Sequence, residues 1–600
     1  MSVNGNKNDK NDDMNRHHQN IDNDGYDVEK PSRVANFRAP KSNENQKSAW
    51  FWIAVVAVSI AVVAVSITVP VTVYLQNGAR EPEPTVAPTT TAPVTAPPVT
   101  AVPFSAAPVT AAPVTAAPVT AVPVTTAPSS PSERLAALIR SRLPSVSFNN
   151  EASPESRALE WMMFVDTGNQ QTRSDDQLVQ RFAMAAIGYS INGLPNWLTD
   201  ESECSWGSGQ VECNTSDEVT QIIPWFASPS GSIPVSIGLL TSIERMDLNQ
   251  NNLAGTIPSE LGGLTALAML RLSSNRLTGT IPSELGGLTA LAELRLSSNR
   301  LTGTIPSEVG GLAALTSLVL RDNQLSGPIP SELGGLASLT ELWLYSNALN
   351  GTMPSELGDL TSMTYLGLYF NELSGSIPSE VGNLSALTYL GVYGNAFSGM
   401  IPSEVGGLTA LTFLGLHNNL LTGMIPSEVG GLTALTTLGF QNNALAGTIP
   451  SEMGGLTALI NWSLALNQLT GIIPSEIGLL FALTYMDLSV NNLTGKIPSE
   501  VGGLTELGQF YLNDNLFAGT IPTEVGRLTA LSLLGLYNNR LTGTIPSEVG
   551  GLRTLTWLNL YNNQLTGAMP DGVCEVVSPR IDCGEIVCDC CQDESRLQCP

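Results

Sequence analysis

The sequence predicts an α/β repeat solenoid, a stack of short parallel strands and short helical turns, and three observations lead to this prediction. An asparagine recurs every 24 residues between positions 251 and 563. A glycine follows four residues after each asparagine, and a proline follows seven residues after it. Apolar residues precede each asparagine in the pattern L-x-x-L-x-L-x-x-N. The framing residues are Asn251, Asn275, Asn299, Asn323, Asn347, Asn371, Asn395, Asn419, Asn443, Asn467, Asn491, Asn515, Asn539 and Asn563.

This period and pattern are typical of leucine-rich repeats, in which the leucines and the asparagine point inward. We assign about 14 such repeats to residues 231–570 and expect Leu270, Leu272 and Leu277 to be core residues. The asparagine amide is expected to satisfy backbone groups at the turn. A repeat solenoid offers an extended surface instead of a deep pocket, so its default function is to bind a partner.

The composition excludes several classes of function. The chain has 600 residues and a net charge of −26, so binding to nucleic acid through phosphates is not expected. Only three histidines occur, which argues against His-dependent triads and His-rich zinc sites. We therefore predict a protein that is not an enzyme, has no cofactor and has no metal site.

The N-terminal quarter predicts a membrane anchor on a stalk. Residues 1–48 are rich in Asn, Asp and Lys and are predicted to be a disordered tail. Residues 49–75 carry no charge and are long enough to span a bilayer as a helix, and the alternative of a buried core helix is weak because the segment has no polar face. Residues 76–131 are rich in Pro, Thr, Ala and Val, which predicts an O-glycosylated stalk or a plain flexible linker.

The charges that flank the apolar segment predict its orientation. Arg33, Arg38, Lys41 and Lys47 precede it, whereas Arg80 alone follows closely. The positive-inside rule then places the N-terminus in the cytoplasm and residues 76–600 outside the cell. We predict a single-pass type II signal-anchor protein, with the plasma membrane as the default membrane.

Caps are expected at both ends of the solenoid, because a terminal repeat without a neighbour exposes the apolar surface of its core. Residues 132–230 are predicted to be a helical cap, with helix starts at Ser153-Pro154 and at Ser174, whose capping-box partner is Gln177. Residues 571–600 form a cysteine-rich C-terminal cap. Zinc is the rival interpretation of this segment, but an extracellular location favours disulfides, whose pairing stays open. The cysteines are Cys204, Cys213, Cys574, Cys583, Cys588, Cys590, Cys591 and Cys599.

The segment L-T-G-T-I-P-S-E-L-G-G-L-T-A-L, residues 277–291, resembles the plant-type leucine-rich repeat of receptor-like kinases and receptor-like proteins. The Cys204-x-Trp206…Cys213 element resembles the cap that precedes such repeats, and the resemblance covers about residues 195–570. It implies a right-handed superhelix, a parallel strand on the inner face and a second short strand before each I-P. It also implies recognition of peptides, small hormones, glycans or partner receptors by the inner and lateral faces.

The chain departs from that family in two ways. The apolar segment precedes the repeats instead of following them, and the 48-residue tail has neither a Gly-rich loop nor an H-R-D motif of a kinase. Any signal is therefore expected to pass through a partner such as a co-receptor.

Solvent-facing positions of the repeats supply the candidate binding residues. Aromatic side chains cluster in the middle repeats, and Gly367, Gly391, Gly415 and Gly439 lie between them, which predicts a groove flanked by aromatic side chains. The alternative is that these rings pair with cross-strand neighbours for stability. Arginines form a mixed-charge patch in the earlier repeats. The candidates are Trp343, Tyr345, Tyr365, Tyr369, Phe370, Tyr389, Tyr393, Phe413, His417, Arg271, Arg295 and Arg321.

Five N-x-S/T sequons predict N-glycosylation in an extracellular region. One of them, Asn461, falls on the inner face, where a glycan would restrict the binding surface to the N-terminal half. The sequons are Asn214, Asn350, Asn383, Asn461 and Asn492.

Two functions remain open from the sequence. The first is a membrane-anchored, cell-surface receptor-like protein that binds a peptide, glycan or protein partner through its solenoid. The alternative is a structural or adhesive surface protein that contacts wall or matrix, which the near-uniform repeats favour.

Overall fold

A computed structural model of the chain describes residues 130–166, 173–194, 196–223, 229–575, 579–582 and 586–587. The predicted tail 1–48, the predicted membrane segment 49–75 and nearly all of the predicted stalk lie outside the described residues. Cys583, Cys588, Cys590, Cys591 and Cys599 of the C-terminal cap also lie outside them. In the part of the chain that is described, no helix combines the length and apolar character needed to cross a bilayer.

Three α-helices precede the repeats: α1 (Pro131–Arg142), α2 (Pro154–Phe164) and α3 (Asp175–Ser190). Each begins after a serine whose side chain accepts a hydrogen bond from a backbone N–H of the first turn, which stabilises the helix start. The predicted starts of α2 and α3 are confirmed, and Ser174 and Gln177 form the predicted capping box. The start of α1 was not predicted, because Pro131 was assigned to the stalk.

A buried arginine and a disulfide connect segments of the N-terminal cap. Arg181 of α3 is fully buried, and its guanidinium donates to Asp166 at 2.8 Å and to Glu203 at 2.9 Å. Because both carboxylates are also buried or nearly so, the charges are compensated inside the cap. Cys204 and Cys213, both predicted to form disulfides, are bonded to each other.

An inner parallel sheet runs through the repeats, and each three-residue strand pairs in register with the strand of the next repeat. Val211–Cys213 adds to it in antiparallel orientation. The inner strands are Val219–Ile222, Arg245–Asp247, Met269–Arg271, Glu293–Arg295, Ser317–Val319, Glu341–Trp343, Tyr365–Gly367, Tyr389–Gly391, Phe413–Gly415, Thr437–Gly439, Asn461–Ser463, Tyr485–Asp487, Gln509–Tyr511, Leu533–Gly535, Trp557–Asn559 and Pro579–Arg580.

A second row of short strands precedes the I-P of most repeats, and its pairs are parallel except where Ile191–Asn192 meets Ser230–Gly231. These outer strands are Ser230–Gly231, Asn252–Gly255, Arg276–Gly279, Arg300–Gly303, Gln324–Gly327, Ala348–Thr352, Glu372–Gly375, Ala396–Gly399, Leu420–Gly423, Ala444–Thr448, Gln468–Thr470, Ala518–Gly519, Arg540–Gly543 and Gln564–Leu565, with Gly567–Ala568 paired to Ile586–Val587.

The helical part of each repeat is a five-residue 3₁₀ turn. Proline precedes the turn and glycine commonly ends it, so the helix stays short. Another 3₁₀ segment, Glu203–Ser208, lies in the N-terminal cap. The turns are Val235–Leu239, Ser259–Gly263, Ser283–Gly287, Ser307–Gly311, Ser331–Gly335, Ser355–Asp359, Ser379–Asn383, Ser403–Gly407, Ser427–Gly431, Ser451–Gly455, Ser475–Leu479, Ser499–Gly503, Thr523–Arg527, Ser547–Gly551 and Asp571–Glu575.

The leucine core lies between the inner strands and these turns. Leu270, Leu272 and Leu277 are fully buried, as predicted. The repeat asparagine is buried beside them, and at Asn275 its amide donates to the carbonyl of Leu248 at 2.8 Å. Because the leucines fill the core side, the alternate residues of every inner strand are turned to the opposite surface, which we call the inner face.

Candidate functional site

Aromatic side chains on the inner face lie in two columns that run across successive repeats. The first column contains Tyr365, Tyr389 and Phe413, which are register partners on adjacent parallel strands. Tyr365 and Tyr389 stack with ring centroids 4.3 Å apart, and Tyr389 and Phe413 stack at the same distance. Parallel strands are about 4.8 Å apart, so in-register aromatic residues are brought to stacking distance.

The second column contains Tyr345, Tyr369, Tyr393 and His417. Successive ring centroids are 4.1, 4.4 and 4.2 Å apart, with the planes within 13° of parallel. The column ends at His417, because the next residue at this position is not aromatic. Two stacks of rings therefore cover the middle of the inner face.

Trp343 and Arg321 close the N-terminal end of the columns. Trp343 stacks on Tyr365 with centroids 4.4 Å apart and contacts Tyr345 at 6.1 Å. The guanidinium of Arg321 lies over both Trp343 and Tyr345, at 5.6 and 5.4 Å from the ring centroids. These distances are typical of cation–π contacts.

The predicted groove is filled along Gly367, Gly391 and Gly415, whereas Gly439 lines an open pocket. A Cβ atom on Gly391 would lie 2.8 Å from Cε1 of Tyr389 and 3.1 Å from Cδ1 of Tyr369. The rings of the two columns therefore lean over the glycines, which are themselves buried. Glycine at these positions makes room for the neighbouring rings and leaves no open channel.

Burial separates the aromatic residues into two kinds. Tyr365 is only 6% exposed, whereas Phe370 is 52% exposed and contacts Tyr369 and Tyr393 edge-on, with centroids 5.7 and 5.3 Å away. Burial is the main cause that raises the pKa values of Tyr365, Tyr369 and Tyr389 above the ordinary tyrosine value. These phenols therefore stay neutral, and Phe370 is the candidate aromatic residue that a ligand reaches most easily.

The predicted basic residues are paired with carboxylates. Arg271 donates to Glu293 at 2.9 Å and to Asp247 at 3.2 Å. Arg295 also forms an ion pair with Glu293, and Arg321 lies 2.7 Å from a carboxylate oxygen of Asp322. The mixed-charge patch is therefore largely neutralised by internal pairs.

A pocket of about 280 Å³ lies where the aromatic columns end. Phe413 and His417 form its N-terminal wall, and the nitrogen Nδ1 of His417 is buried and makes no hydrogen bond of good geometry to the described residues. Burial also lowers the pKa of His417 to about 4, so its imidazole is neutral at pH 7. The other lining residues are Thr437, Leu438, Gly439, Gln441, Asn461, Trp462, Ser463 and Tyr485.

The sequence analysis did not identify this pocket, although it had named Phe413, His417, Gly439 and Asn461 among its residues. The available signal was the change from aromatic to small polar residues directly after Phe413 and His417. Threonine, glutamine and serine are common on any solvated strand, so their types alone did not mark a site.

A larger, shallow groove of about 970 Å³ follows the Thr-Ile-Pro-Ser-Glu segments of the early repeats. It is lined by the same residue types in each repeat, for example Thr280, Pro282 and Glu284. Its polar groups therefore recur along the groove and do not converge on one point.

All five sequon asparagines are exposed. Asn461 lies on the rim of the 280 Å³ pocket, so a glycan there would lie directly beside it. Over the described ranges, no group of three or more His, Cys, Asp or Glu side chains could hold a metal ion. The structure thus defines a class of protein: a repeat solenoid whose inner face is covered by stacked aromatic side chains.

Comparison with known proteins gives the family. Leucine-rich-repeat models match residues 270–325 and 289–349, and a second leucine-rich-repeat model matches residues 242–264, 482–504 and 554–576. No curated protein matches the chain by sequence.

Solved plant receptors are similar in structure. The plant peptide hormone receptor RGFR1 in complex with RGF2 is 34% identical, with a TM-score of 0.57 over 60% of this chain and 62% of that chain. The chain thus spans less than two thirds of that receptor's length. A TDR receptor is 33% identical, with a TM-score of 0.54 over 60% and 67% of the two chains.

The leucine-rich-repeat ectodomain of the Arabidopsis receptor kinase HAESA, in complex with an extended IDA peptide hormone, is 31% identical. Its TM-score is 0.58, and the match covers 69% of each chain. The chain belongs to the plant-type leucine-rich-repeat receptor-like proteins, as the resemblance in its sequence predicted. Ectodomains with this fold are typically non-enzymatic.

Proposed function

We propose that this chain is a cell-surface receptor-like protein that binds a peptide or protein ligand on the inner face of its solenoid, without enzymatic activity. Three structurally similar proteins support the proposal, and two of them are described in complex with peptide hormones. In this proposal a partner such as a co-receptor carries any signal onward. A glycan ligand remains a further option for the same surface.

The exposed ring of Phe370 is the observation that carries the proposal. It lies on the aromatic columns with half of its surface open to solvent. Exposed aromatic side chains beside a rigid, packed surface are typical binding hot spots. The stacked rings below hold it in place, so a ligand would lose little entropy by ordering it.

A matched pair of substitutions tests the proposal. Phe370 has φ 53°, and serine occupies the same repeat position at Ser298 and Ser346 with φ 53° and 55°. Phe370→Ser therefore removes the ring without straining the backbone. Leu466, 49% exposed at the same position four repeats later, gives the control Leu466→Ser.

The purified full-length protein would be screened against a library of secreted peptides, and hits would be measured by calorimetry. We expect Phe370→Ser to weaken binding at least tenfold and Leu466→Ser to leave the Kd within about twofold. Tenfold corresponds to about 1.4 kcal/mol, within the range of a hot-spot residue. A peptide hit with equal affinity for both variants would contradict the assigned surface.

The second candidate function is adhesion to wall or matrix. It is favoured by the near-uniform repeats, because a single specific binding site does not need repeats of uniform sequence. Deletion of residues 1–48 separates the two functions. A receptor would lose its cellular response, whereas an adhesive protein would keep cell attachment unchanged.

We further propose the type II topology, with residues 49–75 in the plasma membrane and residues 76–600 outside. Four of the five sequon asparagines, those that lie away from the 280 Å³ pocket, provide the test, because each is exposed and accessible to the glycosylation machinery. Mass spectrometry of the protein from its own cells should find N-glycans at Asn214, Asn350, Asn383 or Asn492. Unmodified asparagine at all four positions would contradict the topology.

A further inference from the structure

The 280 Å³ pocket begins where both aromatic columns stop. The ring of Phe413 stacks on Tyr389 and the ring of His417 stacks on Tyr393, each on its N-terminal side. The next residues in the two columns are Thr437 and Gln441, which have no ring to stack. The opposite face of each ring therefore lines the pocket. The pocket therefore has a wall of two ring faces that stack on no further ring.

Two polar atoms converge on the floor of this pocket. A Cβ atom on Gly439 would lie 3.0 Å from Nδ1 of His417 and 3.2 Å from Oε1 of Gln441. Both atoms are shielded from water in the folded chain, and neither makes a hydrogen bond of good geometry within the described residues, so a ligand reaches them when the side chain of Gln441 turns into the pocket. A buried polar atom without a partner is costly, so a ligand that supplies the missing hydrogen bonds would gain affinity.

The lining of the pocket is polar but carries no charge. Thr437, Asn461 and Ser463 add hydroxyl and amide groups at the rim, and Tyr485 lies at the far side. The hydroxyl of Tyr485 donates to Asp487 at 3.2 Å. No lining residue is Lys, Arg, Asp or Glu, so the pocket offers no counter-charge to an ionic ligand.

We propose that this pocket binds one neutral sugar residue. Its ring would lie against the ring of Phe413, and its hydroxyls would bond to His417 and Gln441. An apolar ring face beside several neutral hydrogen-bonding groups matches the chemistry of a pyranose, which has apolar C–H faces and a hydroxyl edge. Convergent hydrogen-bonding groups of this kind discriminate strongly for hydroxyl-bearing ligands. The site is separate from Phe370 and does not depend on peptide binding.

The test uses full-length protein made in a host that adds no N-linked glycans, so that Asn461 is unmodified. The probes are cellohexaose, xylohexaose, mannohexaose and chitohexaose, with hexagalacturonate as the charged comparison. Binding would be followed by saturation-transfer NMR and calorimetry. We expect at least one neutral oligosaccharide to bind and hexagalacturonate not to bind.

Two variants and one control locate the binding. Gly439→Ala places a methyl group between His417 and Gln441, and Gln441→Leu removes the acceptor at similar volume. Each should weaken binding at least tenfold. Gly535→Ala is the control, because Gly535 lies in the same column four repeats later, with its nearest neighbours 3.0 and 3.2 Å from the added Cβ. The Gly535→Ala variant should bind the oligosaccharide with the same affinity as the wild type.

Several outcomes would overturn the proposal. These are the absence of binding to all four neutral oligosaccharides at millimolar concentration, binding that survives both pocket variants, and equal binding of hexagalacturonate. Displacement of a bound sugar by a peptide hit that is sensitive to Phe370→Ser would also overturn the separation of the two sites. Because Phe370→Ser does not alter the pocket, the sugar-binding result can be interpreted even if no peptide binds.

Discussion

The side-chain oxygen of Asn299 accepts a hydrogen bond at 3.0 Å from the backbone N–H of Leu277, a residue of the preceding repeat. The amide nitrogen of Asn299 donates to the carbonyl oxygens of Leu272 at 2.9 Å and Leu296 at 3.1 Å. One buried side chain thus satisfies backbone groups of two successive repeats. Only a planar amide offers donors and an acceptor in this arrangement, which explains why asparagine frames every repeat.

Replacement of Asn299 by alanine should destabilise the solenoid. The N–H of Leu277 would remain buried without its acceptor, at a cost of about 1–3 kcal/mol. The carbonyl of Leu272 would lose one of two hydrogen bonds, because the amide of Asn275 also donates to it at 3.1 Å. We expect a total loss of about 2–4 kcal/mol in urea unfolding and faster hydrogen exchange at the Leu277 amide. Arg300→Ala, at the exposed neighbouring position, is the control and should change the stability by less than about 0.5 kcal/mol. Equal stability of the two variants would contradict this role for the asparagine.

The two glycines that end a 3₁₀ turn should respond in opposite ways to alanine. A Cβ on Gly310 would lie 2.3 Å from the backbone oxygen of Glu332 in the next turn, whereas a Cβ on Gly311 would meet no atom within 4 Å. Gly310→Ala must push two repeats apart and should cost about 2–3 kcal/mol. Gly311→Ala should be neutral or stabilise the protein by up to about 1 kcal/mol, because it restricts the unfolded chain. Thermal unfolding of both variants would decide this, and a Gly311→Ala variant as unstable as Gly310→Ala would argue against the close approach of the turns.

The repeat fold was predictable because its causes are local and periodic. Leu270, Leu272 and Asn275 belong to a pattern that recurs at a fixed spacing, so the strand, the core and the turn follow directly from the sequence. The disulfide between Cys204 and Cys213 was also predictable, since these two cysteines are far from the other six in sequence.

The candidate site was less predictable, because it depends on how side chains of different repeats are tilted. The sequence gives the columns of Tyr369, Gly391 and Tyr389, but it does not tell whether the rings flank the glycine or lie over it. Ring stacking at about 4.3 Å favours the second arrangement and removes the groove. The pocket at Gly439 likewise depends on side chains from several repeats, including Tyr485.

Truncation of a central ring of the second column should destabilise the middle repeats. Tyr369 stacks on Tyr345 and on Tyr393 and contacts Phe370 edge-on, so Tyr369→Ala removes three ring contacts of about 0.5–1.5 kcal/mol each, in addition to the lost apolar burial. We expect a loss of about 2–4 kcal/mol in chemical unfolding. Among the described residues Tyr561 stacks on Tyr537 alone, with centroids 4.9 Å apart, so Tyr561→Ala should cost about half as much.

A double-mutant cycle separates stacking from burial. The pair Tyr369 and Tyr393 should show a coupling free energy of about 1 kcal/mol, whereas Tyr369 and Tyr561, which lie eight repeats apart, should show none. A coupling near zero for the stacked pair would mean that the rings act only through their buried area.

The pKa of His417 predicts a specific loss of stability in acid. Burial lowers this pKa to about 4 in the folded chain, below the value of about 6.5 expected for an unfolded chain. Above pH 7 the imidazole is neutral in both states and contributes no pH dependence. As the pH falls from about 6.5 to 4, only the unfolded chain takes up the proton. The free energy of unfolding therefore falls by up to about 3 kcal/mol, and it stops falling below pH 4, where the folded chain is protonated as well.

His417→Gln isolates this effect, because glutamine does not titrate and already occupies the next position of the column at Gln441. Between pH 7 and pH 4, the unfolding free energy of the wild type should fall by about 2–3 kcal/mol more than that of the variant. The other titrating groups are common to both proteins and cancel in this comparison. An NMR titration of the imidazole gives the folded-state pKa directly. If that pKa were near 6.5, or if the difference were constant with pH, the imidazole would be open to water, and the pocket wall that it forms with Phe413 would not be dry.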